Sequence, residues 1–291
     1  MKKPWLIITL TGLLAVSALV LTNYIAKELN DYRYKKESIA EVLNFKERVM
    51  TSAEWIPFND KASSKIAAYD RLQHSADRLY NAAIYYGLFL VGFILIYNLA
   101  IAYFYWKKTE FNQMFGISLI FSSLCLIYVA LQAPFLEIEA FNTNLAFKVP
   151  VDLGFWEKTF EKTFDGKISY FYQNKSVFQL IKLLFTGGNV FVGIALLLFS
   201  VIFPLFKLCA SLFVLIWPKN QYSKSFRTFI LLIGKWSMAD VFVAGIFLAY
   251  FSFSNMNVGV ETNAETLIGL YFFLAFVILS ISSSYFVKRA E

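Results

Sequence analysis

Six apolar runs, each long enough to cross a bilayer, divide the chain at residues 4–21, 82–106, 111–133, 190–217, 228–254 and 267–287. A helix needs roughly 20 such residues to span the ~30 Å hydrocarbon core. In lipid only helices and closed barrels keep every backbone group hydrogen-bonded. The pattern therefore predicts an all-α polytopic membrane protein with six transmembrane helices. Composition agrees: 58% of residues are hydrophobic, 16% are charged and the mean hydropathy is +0.56. The formal charge of +7 is spread over run ends and loops, the pattern that orients a membrane protein, so nucleic acid is not an expected partner. Lys2, Lys3, Lys107, Lys108, Lys219, Lys224, Arg227, Lys288 and Arg289 fall on one side of six spans. That side is expected to be the cytoplasm, with both termini inside. Ala15 to Ala18 resembles a signal cleavage site, but the first run is long for a signal peptide and is read as a retained anchor.

Two segments leave the membrane. Residues 23–80 are mixed in charge, with apolar residues at helical spacing in Ile39, Val42, Leu43 and Phe45 and again in Ile66, Tyr69, Leu72 and Leu79. They predict two amphipathic helices broken near Trp55–Phe58, the second running without a stop into the second span. Residues 1–106 thus read as a two-span hairpin carrying an extracytoplasmic helical segment, with a docking or spacing role. His74 has no ligand-type companion and reads as a solvated surface residue. The second segment alternates at period two in LEIEAF (136–141) and KISYFYQNKSVF (167–178), and MNVGVETN (256–263) could add a strand. A small extracytoplasmic β-sheet built from 135–178 and 256–263 is expected within a 107–291 module. Glu137 and Glu139 share one strand face, and a solvated face explains them more simply than a catalytic carboxylate pair. Cys125 and Cys209 form no Cys-x-x-Cys pair, so neither a disulfide framework nor a metal site is expected.

The polar residues inside the runs carry the functional signal. Of 20 acidic residues, Asp240 alone stands within an apolar run, and charges at membrane depth are costly and tied to transport or proton pathways. At ~1.5 Å per residue, Lys207 lies roughly 16 Å from the bend at Pro218 and Asp240 roughly 19 Å from Arg227. The same count puts Ser122 and Ser123 about 17 Å and Ser280 about 12 Å from their basic ends. Antiparallel packing brings these residues to one layer, with Lys207 the preferred partner of Asp240. Ser237 and Trp236 share the Asp240 face, while Lys235 points elsewhere and can snorkel to the interface. Pro204, one turn before Lys207, frees a carbonyl and favours a kink. Two readings stay open. The layer could lock helices together as polar groups do in lipid, or it could change protonation and pairing during transport.

FPLFKL at 203–208, KWSMADVF at 235–242 and LSISSS at 279–284 ahead of a basic tail resemble the membrane module of the paraquat-inducible protein A family, over residues 111–288. The resemblance implies a tetraspanin-like four-helix module with a small extracytoplasmic sheet in the bacterial inner membrane. It also implies movement of lipid, phospholipid above all, between the two membranes of Gram-negative bacteria, together with a periplasmic MCE-domain protein. Lys207, Ser237, Asp240 and Ser280 would then belong to a polar network that couples transport to protons. The chain departs from the family pattern in having one module and no Cys-x-x-Cys zinc ribbons; a homodimer would restore the two-module arrangement. The competing expectation is a non-transporting tetraspanin-like scaffold or sensor. No nucleophile–base pair or cofactor motif is present in the sequence, so an enzyme is not expected and no cofactor is assigned.

Overall fold

The structure is a computed structural model that describes residues 4–50, 61–152, 157–216, 245 and 260–289. Helix α1 is described over Pro4–Val42. Nothing in the following residues interrupts it, so the first span continues unbroken into the segment beyond the membrane. Helix α1 ends at Val42, and the Asn44 side chain accepts from the Lys46 amide at 2.9 Å to start the short α2 (Phe45–Val49); the expected break near Trp55–Phe58 lies outside the described residues. Residues 51–60 lie outside the described residues. Helix α3 (Lys61–Tyr105) then runs without a stop into the second span, as the sequence predicts. It packs antiparallel to α1, with Tyr24 beside Tyr86 and Tyr32 beside Tyr80 at ring separations of 6.0 and 5.1 Å.

Helix α4 (Phe111–Gln132) follows a tight turn and hands over to a long antiparallel ribbon, β1 (Pro134–Asp152) and β2 (Glu157–Ser176). A third strand, β3 (Glu261–Thr266), pairs with β1 from Leu136 to Phe141, giving the order β2-β1-β3. Two strand boundaries differ from expectation. The third strand runs to Thr266 rather than ending at residue 263. The second stops at Ser176, because Ser176 and Gln179 form a capping box that starts α5 (Val177–Thr186). After α5 come α6 (Val190–Leu197), a π turn (Leu198–Ile202) and α7 (Phe203–Ile216), and the described chain closes with α8 (Ile268–Arg289).

Five of these helical stretches are long and apolar enough to cross a membrane: 11–42, 68–105, 111–132, 190–216 and 268–289. The expected span at 228–254 lies outside the described residues apart from Gly245. One core joins the bundle, with Ile25 and Leu29 of α1, Leu90 of α3, Ile120 and Ile127 of α4, Leu208 of α7 and Phe273 of α8 all buried. Small residues bring helices close, as in membrane bundles generally. A Cβ on Gly269 would stand 2.5 Å from the Pro134 carbonyl, so α8 starts pressed against the α4–β1 junction. On the outside, Leu88, Phe89, Leu99, Phe191 and Ile278 are exposed, which suits a lipid-facing surface.

Candidate functional site: polar groups inside the helix bundle

Lys207 sits in the first turns of α7 and is 6% exposed. Its Nζ donates to the Ser280 hydroxyl of α8 at 3.2 Å and lies 3.5 Å from the Ser280 carbonyl. That carbonyl also accepts from the hydroxyls of Ser283 and Ser284, at 2.9 and 3.0 Å. The LSISSS run thus concentrates oxygen acceptors where the lysine arrives. One turn on from Lys207, the Ser211 hydroxyl is fully buried and has no hydrogen-bond partner. Among the described residues no carboxylate pairs with Lys207. Burying a charge costs several kcal/mol unless it is well paired, and neutral acceptors alone would offset that cost only in part.

The backbone ahead of Lys207 is unusual. Leu198–Ile202 forms a π turn in which the Phe203 amide reaches back five residues to the Leu198 carbonyl. Pro204, which is buried, has no amide to give to the Ser200 carbonyl. The proline signal in the sequence therefore corresponds to a widened turn, a feature that recurs at functional sites.

A second polar cluster joins α3 to α4. Asn98 donates to the Ser122 hydroxyl at 2.8 Å and accepts from the Ser118 hydroxyl at 2.9 Å, and all three residues are buried. Of the expected network, Lys207 and Ser280 are brought together. Ser122 instead bonds to Asn98, and the Ser123 hydroxyl donates to the Leu119 carbonyl of its own helix at 2.8 Å. Rotation about the helix axis turns Ser122 toward α3. Asp240, Ser237 and Trp236 lie outside the described residues. Asn98, Ser118, Ser211 and Ser283 were missed by the sequence reading. An amide in the middle of an apolar run, four-residue spacing between Ser118 and Ser122, and the same spacing between Lys207 and Ser211 were the available signals.

The carboxylates of β1 also require a correction. Glu137 does not face solvent; α1 covers it, and it is 7% exposed. The Tyr32 hydroxyl donates to it at 2.6 Å, the Asn174 amide approaches at 3.4 Å and Lys36 Nζ lies 3.5 Å away. Glu139 pairs with Lys167 at 2.6 Å. Burial and the Glu137 carboxylate hold the nearby Tyr172 phenol above its ordinary range. Strand alternation put both acids on one face correctly but could not reveal the helix lying over it. His74 is exposed.

Apolar spans joined by a few buried polar contacts, with a small antiparallel sheet outside them, define a multi-pass membrane protein. Residues 167–290 match the family model for paraquat-inducible protein A. The match starts at Lys167 in β2, later than the Phe111 expected from the motifs. It takes in Lys207 and Ser280 and leaves out α1, α3 and α4. Comparison with curated proteins and with solved structures gave no match.

Proposed function

We propose that the protein is the inner-membrane component of an intermembrane lipid transport system, exchanging phospholipid with a periplasmic MCE-type partner. The observation that carries this reading is Lys207: a buried lysine whose partners among the described residues are serine oxygens, directly after a π turn and a proline, inside the family-matched region. A buried charge with neutral oxygens around it leaves a place for an ionisable partner, and a widened turn gives its helix a place to adjust. Asp240 is assigned as the counter-charge and proton-responsive group, with Ser237 and Ser280 as relays, in a four-span module completed by residues 228–254 and open to lipid.

The test is to substitute Lys207→Ala and Asp240→Asn and to follow envelope-barrier function at matched protein levels. Loss of barrier function in both supports the reading. A stably expressed variant with full barrier function overturns the role of the pair. The scaffold reading draws on the Asn98–Ser118–Ser122 contacts, which tie helices together. It predicts the opposite ranking, with Asn98→Leu more damaging than Lys207→Ala.

A further inference from the structure

A cleft of about 390 Å³ lies between α3, α4 and α8, lined by Ile94 and Ala102 of α3, Leu119 and Leu126 of α4, and Ala275 and Ile278 of α8, among others. Asn98 also borders it, with its amide already engaged by Ser118 and Ser122. The rim residues Leu95, Leu99 and Ile278 are exposed, so the cleft opens on the lipid-facing side. On α3 its lining runs from Val91 to Ala102. That is ~17 Å at 1.5 Å per residue, close to the ~15 Å of one leaflet's hydrocarbon.

One end of the cleft points at a cluster of positive charge. Lys107 and Lys108 follow α3 directly, and Lys288 and Arg289 finish α8; all four are exposed. The start of α4, three residues after Lys108, meets the end of α8, where the Asn112 amide donates to the Arg289 carbonyl at 3.2 Å. The Lys108 ammonium lies over the Tyr105 ring at 4.4 Å and the Arg289 guanidinium over the Tyr285 ring at 4.5 Å. Glu110 is the acidic residue beside them. A narrow apolar slot one leaflet long, ending at a basic cluster, has the shape and charge of an anionic lipid.

We infer that this cleft binds one anionic phospholipid, with an acyl chain between α3, α4 and α8 and the headgroup against Lys107, Lys108, Lys288 and Arg289. Basic groups beside helix crevices bind acidic headgroups by direct charge attraction. The site lies apart from Lys207 and involves α3, which the family match does not include, so it holds whether or not Lys207 serves transport.

The experiment uses the full chain in nanodiscs containing equal phosphatidylglycerol and phosphatidylcholine, with native mass spectrometry after detergent release. One retained phosphatidylglycerol per chain is expected. Ala102→Phe with Ala275→Phe fills the slot and should lower retention at least tenfold. Lys107→Gln with Lys108→Gln should keep a lipid but abolish the preference for phosphatidylglycerol. Retention unchanged by filling the slot, or equal retention of both lipids by the unaltered chain, overturns the inference. A photoreactive side chain at Leu99 provides a readout without filling the slot. Crosslinks to acyl chains support the site, and crosslinks only to protein, a second copy included, overturn it.

Discussion

Two buried charges in this molecule are housed in opposite ways. Glu137, at the junction of sheet and hairpin, has a tyrosine hydroxyl, an asparagine amide and a lysine around one carboxylate. Lys207, inside the bundle, has serine oxygens from one neighbouring helix, and the Ser211 hydroxyl one turn on has no partner among the described residues. The Asn174 carbonyl oxygen near Glu137 likewise has none, so the contrast lies in the charges themselves: a carboxylate ringed by three donors, one of them a lysine, is held in one arrangement more firmly than an ammonium on neutral oxygens. The first is built as a clamp between α1 and β1. The second, beside a π turn, is the one of the two with more freedom to change partner.

The contrast can be broken by substitution. Glu137→Ala should destabilise the protein most, by about 3–5 kcal/mol, since it strands Lys36 and Tyr32 in a buried site; thermal unfolding in detergent reads this. Tyr32→Phe removes one hydrogen bond to a carboxylate and should cost about 1.5–3 kcal/mol in the same assay. Lys207→Met should leave stability unchanged or slightly raised, because an apolar chain of similar length avoids the desolvation penalty, while barrier function is lost. A large destabilisation by Lys207→Met would make the two charges alike and remove the distinction. The smallest effect at ordinary pH belongs to Tyr172. Its phenol stays protonated in the folded state above the unfolded value near 10, so its contribution is complete below about pH 10 and declines as pH rises beyond it. Tyr172→Phe should flatten the alkaline limb of a stability–pH curve.

How much of this was legible follows from what each signal measures. Run length placed the helices at 111–132 and 268–289 to within a few residues and the end of α3 at Tyr105 to within one, because bilayer thickness leaves little freedom, but not the start of α3 at Lys61, where a polar helix runs on into the span. Period-two alternation found β1 and β2, yet the same alternation missed Ser176, where a serine three residues before a glutamine starts a helix. Apolar depth identified Lys207 and Ser280 as neighbours in height, and the structure makes them neighbours in contact. It did not reveal Asn98 as a partner of Ser122, because Asn98 was read only as part of an apolar run. The burial of Glu137 could not be read at all: it depends on α1 continuing straight past the membrane surface, and no local pattern marks where a helix will lie on a sheet.

That straightness has a further consequence. An unbroken helix converts residue number into height and bearing together, at ~1.5 Å and ~100° per residue. Tyr32, eleven residues beyond the end of the first apolar run at Leu21, therefore holds Glu137 and the sheet about 16 Å from the apolar boundary, like a rung on a fixed ladder. Deleting seven residues between them would lower the sheet by ~10 Å and keep its bearing nearly unchanged. Deleting two would turn Tyr32 away from Glu137 altogether. The hairpin is thus a gauge that sets where, and facing which way, the sheet stands relative to the bilayer.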